Sequence, residues 1–414
     1  MLDINFIREN KDIVKKGVTD KQFDSSLVDR VLELDEQRRK LILEVEQMRT
    51  KRNKIAYAKK FSEEGKIIKE QLKDKEPELD KIGKEFLETL QKIPNLPSDK
   101  TPVGKNDKDN IEVRKWGIPT KFNFEPKDHL ELGKSLAILD FETGAKVTGS
   151  QFFFLYGDGA LLELALTRYA FEKLSNEGFL PVITPDLAKS RYYLGIGYMP
   201  KGPEAQTYTI EGEDLGLIAT SEVTLAGRHA DEVIPEEKLP LKYVGYSHCF
   251  RKEAGAYGKY SKGLYRVHEF SKVEMFIYSL PEESEKFHEL ILKMEEEIYQ
   301  ELGLPYRVIE MCTGDLGAMA ARKFDIEVWM PGRGDYGEVT STSNCTDYQA
   351  RNLNIRFRRK TGETEYLHML NGTAIVMTRV PLAILENFQQ KDGSILVPKV
   401  LQKWMGKDII KGKI

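Results

Sequence analysis

The sequence predicts an α+β protein, in which an amino-terminal hairpin of long helices is joined to a body built on an antiparallel sheet flanked by helices. Two heptad runs between residues 27 and 93 predict the hairpin. Period-2 segments on both sides of a glycine-rich connection, and amphipathic stretches of helical period around them, predict the body. A chain of 414 residues is long enough for two or three domains with a full-sized core.

In the first run Leu27, Leu34, Leu41, Met48 and Ile55 recur every seventh position, with Val31 and Val45 adjoining them on the same seam. Leu72, Leu79, Phe86 and Ile93 keep that spacing in the second run, with Ile68 and Ile82 beside them. Such narrow apolar seams need a partner, and the FSEEG stretch ending in Gly65 offers a chain reversal, so each helix can serve the other. A helix of about 33 residues reaches roughly 50 Å. Pro77 removes an internal hydrogen bond and should kink or restart the second helix. Beside the reversal, RTKRNKIAYAKK holds six basic residues and no acid: Arg49, Lys51, Arg52, Lys54, Lys59 and Lys60. A patch of this kind suits phosphate contacts on RNA, and equally a solvated helix face.

Composition narrows the class. With 40% hydrophobic and 31% charged residues the chain reads as globular, and its net charge of -3 excludes a uniformly basic nucleic-acid binder. Any RNA contact must therefore use local positive charge. Cys249, Cys312 and Cys345 are far apart and form no CxxC pair, so neither a disulfide framework nor a zinc site is expected. MLDINFIREN lacks an apolar core of signal-peptide length, and no run of 18 apolar residues occurs, so a cytoplasmic setting without a membrane partner is expected.

Three units follow: an arm over 1–98, a linker over 99–120 rich in Pro, Gly, Asn and Asp, and a body over 121–414. Asp128, His129 and Glu131 lack a second cluster of ligand spacing and read as a helix start. GDGALLELALTRYAFEKLSNEG is an amphipathic helix closed by Gly178, followed by the strand FLPVITP. PEESEKFHELILKMEEEIYQELG is another such helix, ended by Gly303 and Pro305, and Asp325 to Met330 reads as a strand. Between these lies FRKEAGAYGKYSKGLYRVHEFSKVE, from Phe250 to Glu274. It reads as a hairpin with a long loop containing Gly255, Gly258 and Gly263, its second strand alternating through Tyr265, Val267 and Glu269 against Arg266, His268 and Phe270. One face offers Arg251, Glu253, Arg266 and Glu274, with Phe270 as an aromatic plate. A guanidinium for phosphate, carboxylates for amino groups and a ring for a base suit a site for a nucleotide and an amino acid.

FRKEAG followed by RVHEFSKVE resembles motif 2 of the class II aminoacyl-tRNA synthetases, in detail the seryl-tRNA synthetase version. GEVTSTSNCTDYQARNLNIRFR from Gly337 and HMLNGTAIVMTRVPLAILENFQ from His368, with the motif 3 arginine at Arg379, agree with it in the family's order. The resemblance extends over nearly the whole chain. It implies the class II type of antiparallel sheet, a homodimer built on the helix and strand before Pro185, and an arm that grips the long variable arm of tRNA. The implied reaction is ATP-dependent activation of L-serine and its transfer to tRNA(Ser), with tRNA(Sec) left open as a second substrate and Mg²⁺ accompanying ATP.

Residue assignments follow from the motif positions. Arg251 would hold the α-phosphate and Arg379 the γ-phosphate, Glu253 would contact the adenine amino group, and Phe270 would stack on the ring. Lys252, Arg266, Val267, His268, Glu269, Val339 and Thr340 complete the implied ATP site, and Glu338 with Ser341 occupies the family's magnesium position. Thr220, Ser221, Glu222, Arg251, Glu274, Asn371 and Thr373 would surround serine. Ser221 and Glu222 could equally cap a helix. Ile196, Gly337, Ala374 and the TSE triplet depart from the commoner family residues. Three rival readings remain: a silent homologue that only binds RNA, a ligase charging a carrier protein, and a coiled-coil scaffold. Retention of Arg251, Glu253, Glu338 and Arg379 disfavours the first, the basic arm the second, and the three body motifs the third.

Overall fold

The computed structural model describes residues 1–57, 63–198, 207–253 and 261–412, in two compact units, Met1–Leu96 and Pro97–Ile414. In the first unit, short helices α1 (Ile4–Glu9) and α2 (Lys11–Asp20) precede the long helices α3 (Ser26–Tyr57) and α4 (Glu63–Lys92). Val31, Leu34, Leu41 and Val45 of α3 are buried, as are Ile68, Leu72, Phe86 and Leu90 of α4. Met48, Ile55 and Leu79 pack on the cluster of Val45, Ile68 and Leu72. Cross-helix ion pairs flank the seam: Arg30 with Glu85 at 2.5 Å, Arg49 with Glu76 at 2.8 Å, and Lys75 with Glu44.

Two local expectations are corrected. Gly65 does not end a reversal, because α4 already begins at Glu63, where Glu63 and Glu64 favourably face the helix dipole. Pro77 does not restart the helix, since α4 runs continuously through it. Pro77 and Lys73 are both exposed, so the Lys73 carbonyl that loses its helical partner lies where water can satisfy it.

The second unit is built on an eight-stranded sheet. Its strands are β1 (Ile111–Trp116), β2 (Leu180–Ile183), β3 (Leu241–Phe250), β4 (Glu269–Ser279), β5 (Tyr306–Glu310), β6 (Arg322–Met330), β7 (Asp335–Asn344) and β8 (His368–Val376). Their spatial order is β1-β5-β6-β7-β8-β4-β3-β2, antiparallel throughout except for the edge pair β3 and β2. Strand β1 lies within the stretch expected as a linker, which is tied to the body: Ser98 N–H and the Thr101 hydroxyl both donate to the Ala321 carbonyl, at 2.8 and 2.9 Å.

Helix α5 (His129–Ser135) starts in a capping box: Asp128 Oδ1 accepts from Leu130 and Glu131 N–H, and Glu131 accepts in return from Asp128 N–H at 3.2 Å. Helix α6 (Asp158–Asn176) buries Leu162, Leu166, Tyr169 and Leu174 and is followed by Gly178 at φ +82°. The remaining helices used below are α7 (Ser190–Ile196), α8 (Glu222–Gly227), α9 (Ser284–Leu302), α10 (Tyr348–Leu353) and α11 (Arg379–Asn387). Helix α9 covers one face of the central strands with Phe287, Ile291, Met294 and Ile298, and Gly303 caps it in the left-handed conformation.

The expected hairpin forms from β3 and β4, in register His248 opposite Ser271 and Phe250 opposite Glu269. Its second strand begins later than the alternation of residues 265–270 suggested. Gly263 to Tyr265 form a 3₁₀ turn, and Leu264, Tyr265 and Val267 are all buried, so tertiary packing overrides the period. Gly263 has φ +54°, and a Cβ there would lie 2.2 Å from His129 Nε2. Gly255 and Gly258 lie outside the described residues.

At Gly372 α9 packs tightly on the sheet: a Cβ there would lie 2.2 Å from Ile291 Cγ2 and 2.7 Å from Glu295 Oε1. Gly372→Ala should therefore overpack the interface and lower stability by about 1–3 kcal/mol, read as a lower urea midpoint at unchanged slope.

Candidate active site

The site lies on the face of the sheet away from α9, and strand register assembles it. Glu274 on β4 stands opposite Thr373 on β8, and the Thr373 hydroxyl donates to Glu274 Oε2 at 3.0 Å. Lys272, two residues earlier and so on the same face, forms a buried ion pair with Glu274. The Thr340 hydroxyl donates to the Thr373 carbonyl, tying β7 to β8 beneath the pocket.

A short loop brings in the second carboxylate. Thr220 Oγ1 accepts from Glu222 N–H at 3.2 Å at the start of α8, so the hydroxyl that caps this turn is that of Thr220 and not of Ser221. Glu222 Oε1 accepts from Asn371 Nδ2 at 3.0 Å and from Gln349 Nε2 at 2.7 Å. Burial, and then the neighbouring Glu274 charge, push the Glu222 carboxyl up to about 7, against the hydrogen bond from Gln349.

Cations line the other wall. The Arg251 guanidinium lies 5.1 Å from the Phe270 ring centroid, and its Nε donates to the Ala219 carbonyl at 3.4 Å. Arg266 is paired with Glu253, which sits at φ +50°. Arg379, at the start of α11, donates to the carbonyls of Tyr265 and Glu338 at 3.2 and 2.9 Å and pairs with Glu338 Oε1 at 3.2 Å. Burial alone would raise the Glu338 carboxyl, but the charges of Arg379, Lys323 and Arg251 hold it below its ordinary value. Together these groups enclose a cavity of about 330 Å³.

Of the residues expected at a site, Thr220, Glu222, Arg251, Glu253, Arg266, Val267, Phe270 and Glu274 line this cavity, as do Glu338, Val339, Thr340, Ser341, Asn371, Thr373 and Arg379. Ser221, Lys252, His268 and Glu269 are not among its lining. The Ser221 hydroxyl is buried with no hydrogen-bond partner, and Lys252 is exposed over the Tyr208 ring at 5.6 Å. His268 Nδ1 bonds the Arg251 carbonyl at 2.9 Å, and Glu269 lies opposite Phe250 in the ladder. In the other unit Arg49, Lys51, Arg52 and Lys54 are exposed on α3, while Lys59 and Lys60 lie outside the described residues. Lining groups not anticipated include Tyr198, Lys272, Asp315 and Lys323. Period 2 from Glu274 would have found Lys272.

With this geometry in place, the matches to known proteins are specific. Residues 1–97 match the model for the seryl-tRNA synthetase N-terminal domain, and residues 207–388 the tRNA synthetase class II core domain (G, H, P, S and T). A serine--tRNA ligase of Dictyoglomus turgidum is 54% identical over 424 aligned positions, covering all of both chains. The chain belongs to the seryl-tRNA synthetase family. Another family member, from Rubrobacter xylanophilus, is 50% identical over 99% of both chains. Among solved structures, the seryl-tRNA synthetase of Pyrococcus horikoshii complexed with ATP superposes with TM-score 0.91 at 41% identity over 100% of both chains. The cytoplasmic serine-tRNA ligase of Naegleria fowleri in complex with AMP gives 0.88 at 36%, over 100% of this chain and 99% of that one.

The family setting makes the departures interpretable. A Cβ at Gly337 would meet Met330 Sδ at 2.7 Å and Tyr265 Cε2 at 2.9 Å, so a side chain here requires the end of Met330 and the Tyr265 ring to shift. Ala374 and Ile196 are fully buried, so neither presents its side chain to solvent in the site.

The Lys272–Glu274 pair has 5% and 2% exposure. Lys272→Met should leave a buried carboxylate without its ion partner and cost about 3 kcal/mol in urea unfolding. Lys40→Ala breaks the exposed pair with Glu36 and should cost under about 0.5 kcal/mol.

Proposed function

We propose that this chain activates L-serine with ATP and transfers it to the 3′-terminal adenosine of tRNA(Ser). The observation that carries this reading is the single pocket in which Glu222, Glu274 and Thr373 face the cations Arg251 and Arg379 and the Phe270 ring. Hydroxyl and carboxylate groups at one end suit the hydroxyl and ammonium of serine. Guanidinium groups and an aromatic plate at the other suit a nucleotide.

The first step needs no protein nucleophile, because the serine carboxylate is ionised at neutral pH. Its oxygen bonds to the α-phosphorus of ATP as the bond to pyrophosphate breaks. What the protein supplies is alignment and charge. Arg251 binds the α-phosphate and Arg379 the γ-phosphate; main-chain carbonyls already hold both side chains, so little reorganisation accompanies binding. Glu253 accepts from the adenine amino group, and Phe270 stacks on the ring. Glu222, Glu274 and Thr220 surround the ammonium group, while Asn371 and Thr373 orient the side-chain hydroxyl. A site that hydrogen-bonds this hydroxyl rejects alanine strongly, whereas threonine must be excluded by shape.

Glu338 and Ser341 offer oxygen donors only, and Glu338 is held ionised by Arg379 and Lys323. Few protein oxygens completed by substrate phosphates suit Mg²⁺. Bound there with ATP, Mg²⁺ would neutralise phosphate charge. In the second step the 3′-hydroxyl of the terminal adenosine attacks the seryl carbonyl, and AMP leaves.

Residues 1–98 serve as the tRNA-binding arm and 121–414 as the catalytic domain, with Arg49, Lys51, Arg52, Lys54, Lys59 and Lys60 facing phosphates. Of these, Arg49 is already paired with Glu76 at 2.8 Å. A second copy of the chain covers the exposed apolar side chains Leu161 and Leu164 of α6 and Leu180 and Ile183 of the edge strand β2. No helix of the described residues is long and apolar enough to cross a membrane.

The decisive assay is serine-dependent exchange of pyrophosphate into ATP without tRNA. Its absence in the folded wild type would defeat this reading. Arg379→Ala should slow exchange by about 100-fold or more, the effect of losing about 3 kcal/mol of transition-state charge stabilisation. Serine capture should strengthen as pH rises through about 7, where Glu222 loses its proton, while the KM for ATP shows no such limb. Neutralising Arg49, Lys51, Arg52 and Lys54 together should leave exchange intact, weaken aminoacylation, and flatten the salt dependence of tRNA affinity.

A further inference from the structure

We propose that Gln349 is a positioning residue for serine capture: it clamps one oxygen of Glu222 so that the other faces the substrate ammonium group. The proposal rests on the serine-activating reading above. Gln349 lies on α10, is fully buried, and does not line the cavity. Its Nε2 donates to Glu222 Oε1 at 2.7 Å and to the Ile196 carbonyl at 3.3 Å. A main-chain carbonyl can only accept, so the amide nitrogen must face it, and the same nitrogen then faces Glu222. Asn371 Nδ2 donates to the same carboxylate oxygen at 3.0 Å. Both amides therefore converge on Oε1, leaving Oε2 without a hydrogen bond among the described residues.

The surroundings of Glu222 make this clamp consequential. Glu274 and Lys272 face it from β4 and Arg251 from the end of β3. Lys272 is committed to Glu274, and Arg251 to Phe270 and the Ala219 carbonyl. The hydrogen bonds that hold the Glu222 carboxylate thus come from neutral amides. Gln349 also carries a cost that packing alone does not explain: its Oε1 is buried with no partner. A methionine would fill similar space without that oxygen. Were the residue merely structural, Gln349→Met should lower stability by orphaning the Ile196 carbonyl without separating the KM for serine from that for ATP. Ile196, where threonine is commoner in the family, contributes only its main-chain carbonyl here, so the departure leaves the clamp intact.

The test is Gln349→Met in the full chain, with exchange measured against serine, ATP and pH. The expected result is a KM for serine raised about 10- to 100-fold, the range for losing a hydrogen bond to a charged group. The KM for ATP should hold, and the acidic limb of kcat/KM for serine should move to higher pH, since a donor favouring the carboxylate is gone. In a Glu222→Gln background the same substitution should add little, because its effect passes through the Glu222 charge. Gln349→Asn keeps an amide but is too short to reach, and should reproduce the split. Serine KM and acidic limb matching wild type in either folded variant would overturn the proposal. Equal losses for serine and ATP, or failure of both variants to fold, would assign Gln349 to packing and overturn it as well. Wild type without serine-dependent exchange would remove the functional reading and this proposal together, whereas normal wild-type exchange with unaffected variants removes the proposal alone.

Discussion

Antiparallel pairing of β4 with β8 sets Glu274 opposite Thr373, with a register shift between Thr373 and Ile375, and the geometry of the pocket descends from that alignment. Side chains alternate between faces, so a slip of one residue would carry Lys272 and Glu274 into the apolar layer beneath α9. That layer contains Ile291, Met294 and Ile298 and could not solvate a charge. The apolar side chains on one face thus specify where the charges on the other must stand. Strand β3 extends the same constraint: Gly245 lies opposite Glu274, and a Cβ at Gly245 would lie 3.1 Å from Ser221 Oγ. The absence of a side chain at Gly245 lets the Thr220–Glu222 loop settle against the sheet, which brings Glu222 within reach of Asn371.

Three cations of the pocket are held in ion pairs before any ligand arrives. Arg266 is joined to Glu253, Arg379 to Glu338, and Lys272 to Glu274. Of these, the Lys272–Glu274 pair is the most buried. Glu338 is surrounded by protein, yet its side chain opens into the cavity and is 46% exposed there, so its pair with Arg379 can be reached by an incoming phosphate. The difference in burial sorts the groups into those that build the floor and those that change partners on binding.

Much of this was legible in the sequence, for reasons that differ by element. Heptad spacing found α3 and α4 because two long helices must hide one narrow stripe each, and few other arrangements satisfy that spacing. It placed Leu27 in the seam, whereas Val28 is the buried residue, since the first turn is also packed by α2. Pro77 did not break α4 into two, since both it and the Lys73 carbonyl that loses its partner are exposed. The motifs located most of the cavity lining, including both carboxylates. They did not reveal Lys272, Lys323 or the bond from Gln349, since a short motif names residues without saying which side chain meets which. Residues 265–268 alternated like a strand yet form a turn and extended backbone, because Gly263 packs against His129 of α5, more than a hundred residues earlier, and local period carries no trace of that contact.

Glu295 shows period and chemistry in direct competition. It lies in KMEEEIYQ and reads by type as an acid for the solvent face, yet it stands four residues after Ile291 and three before Ile298, on the buried stripe of α9. The period wins. Glu295 is fully buried, and its polar neighbour, the Thr340 hydroxyl, is already committed to the Thr373 carbonyl. Burial, against a contact from the Thr340 hydroxyl and with the charges of Glu274 and Asp325, pushes its carboxyl well above the ordinary range, which favours the neutral form. An ionised Glu295 would oppose the charge of Glu274 through the thickness of the sheet, in surroundings where water screens little. A neutral one leaves the electrostatics of the pocket to the groups on its own face. It fits only because Gly372 lacks a Cβ, which brings the carboxyl within 2.7 Å of where that atom would stand. The helix can therefore close on the back of the sheet without adding a charge behind the one that the site requires.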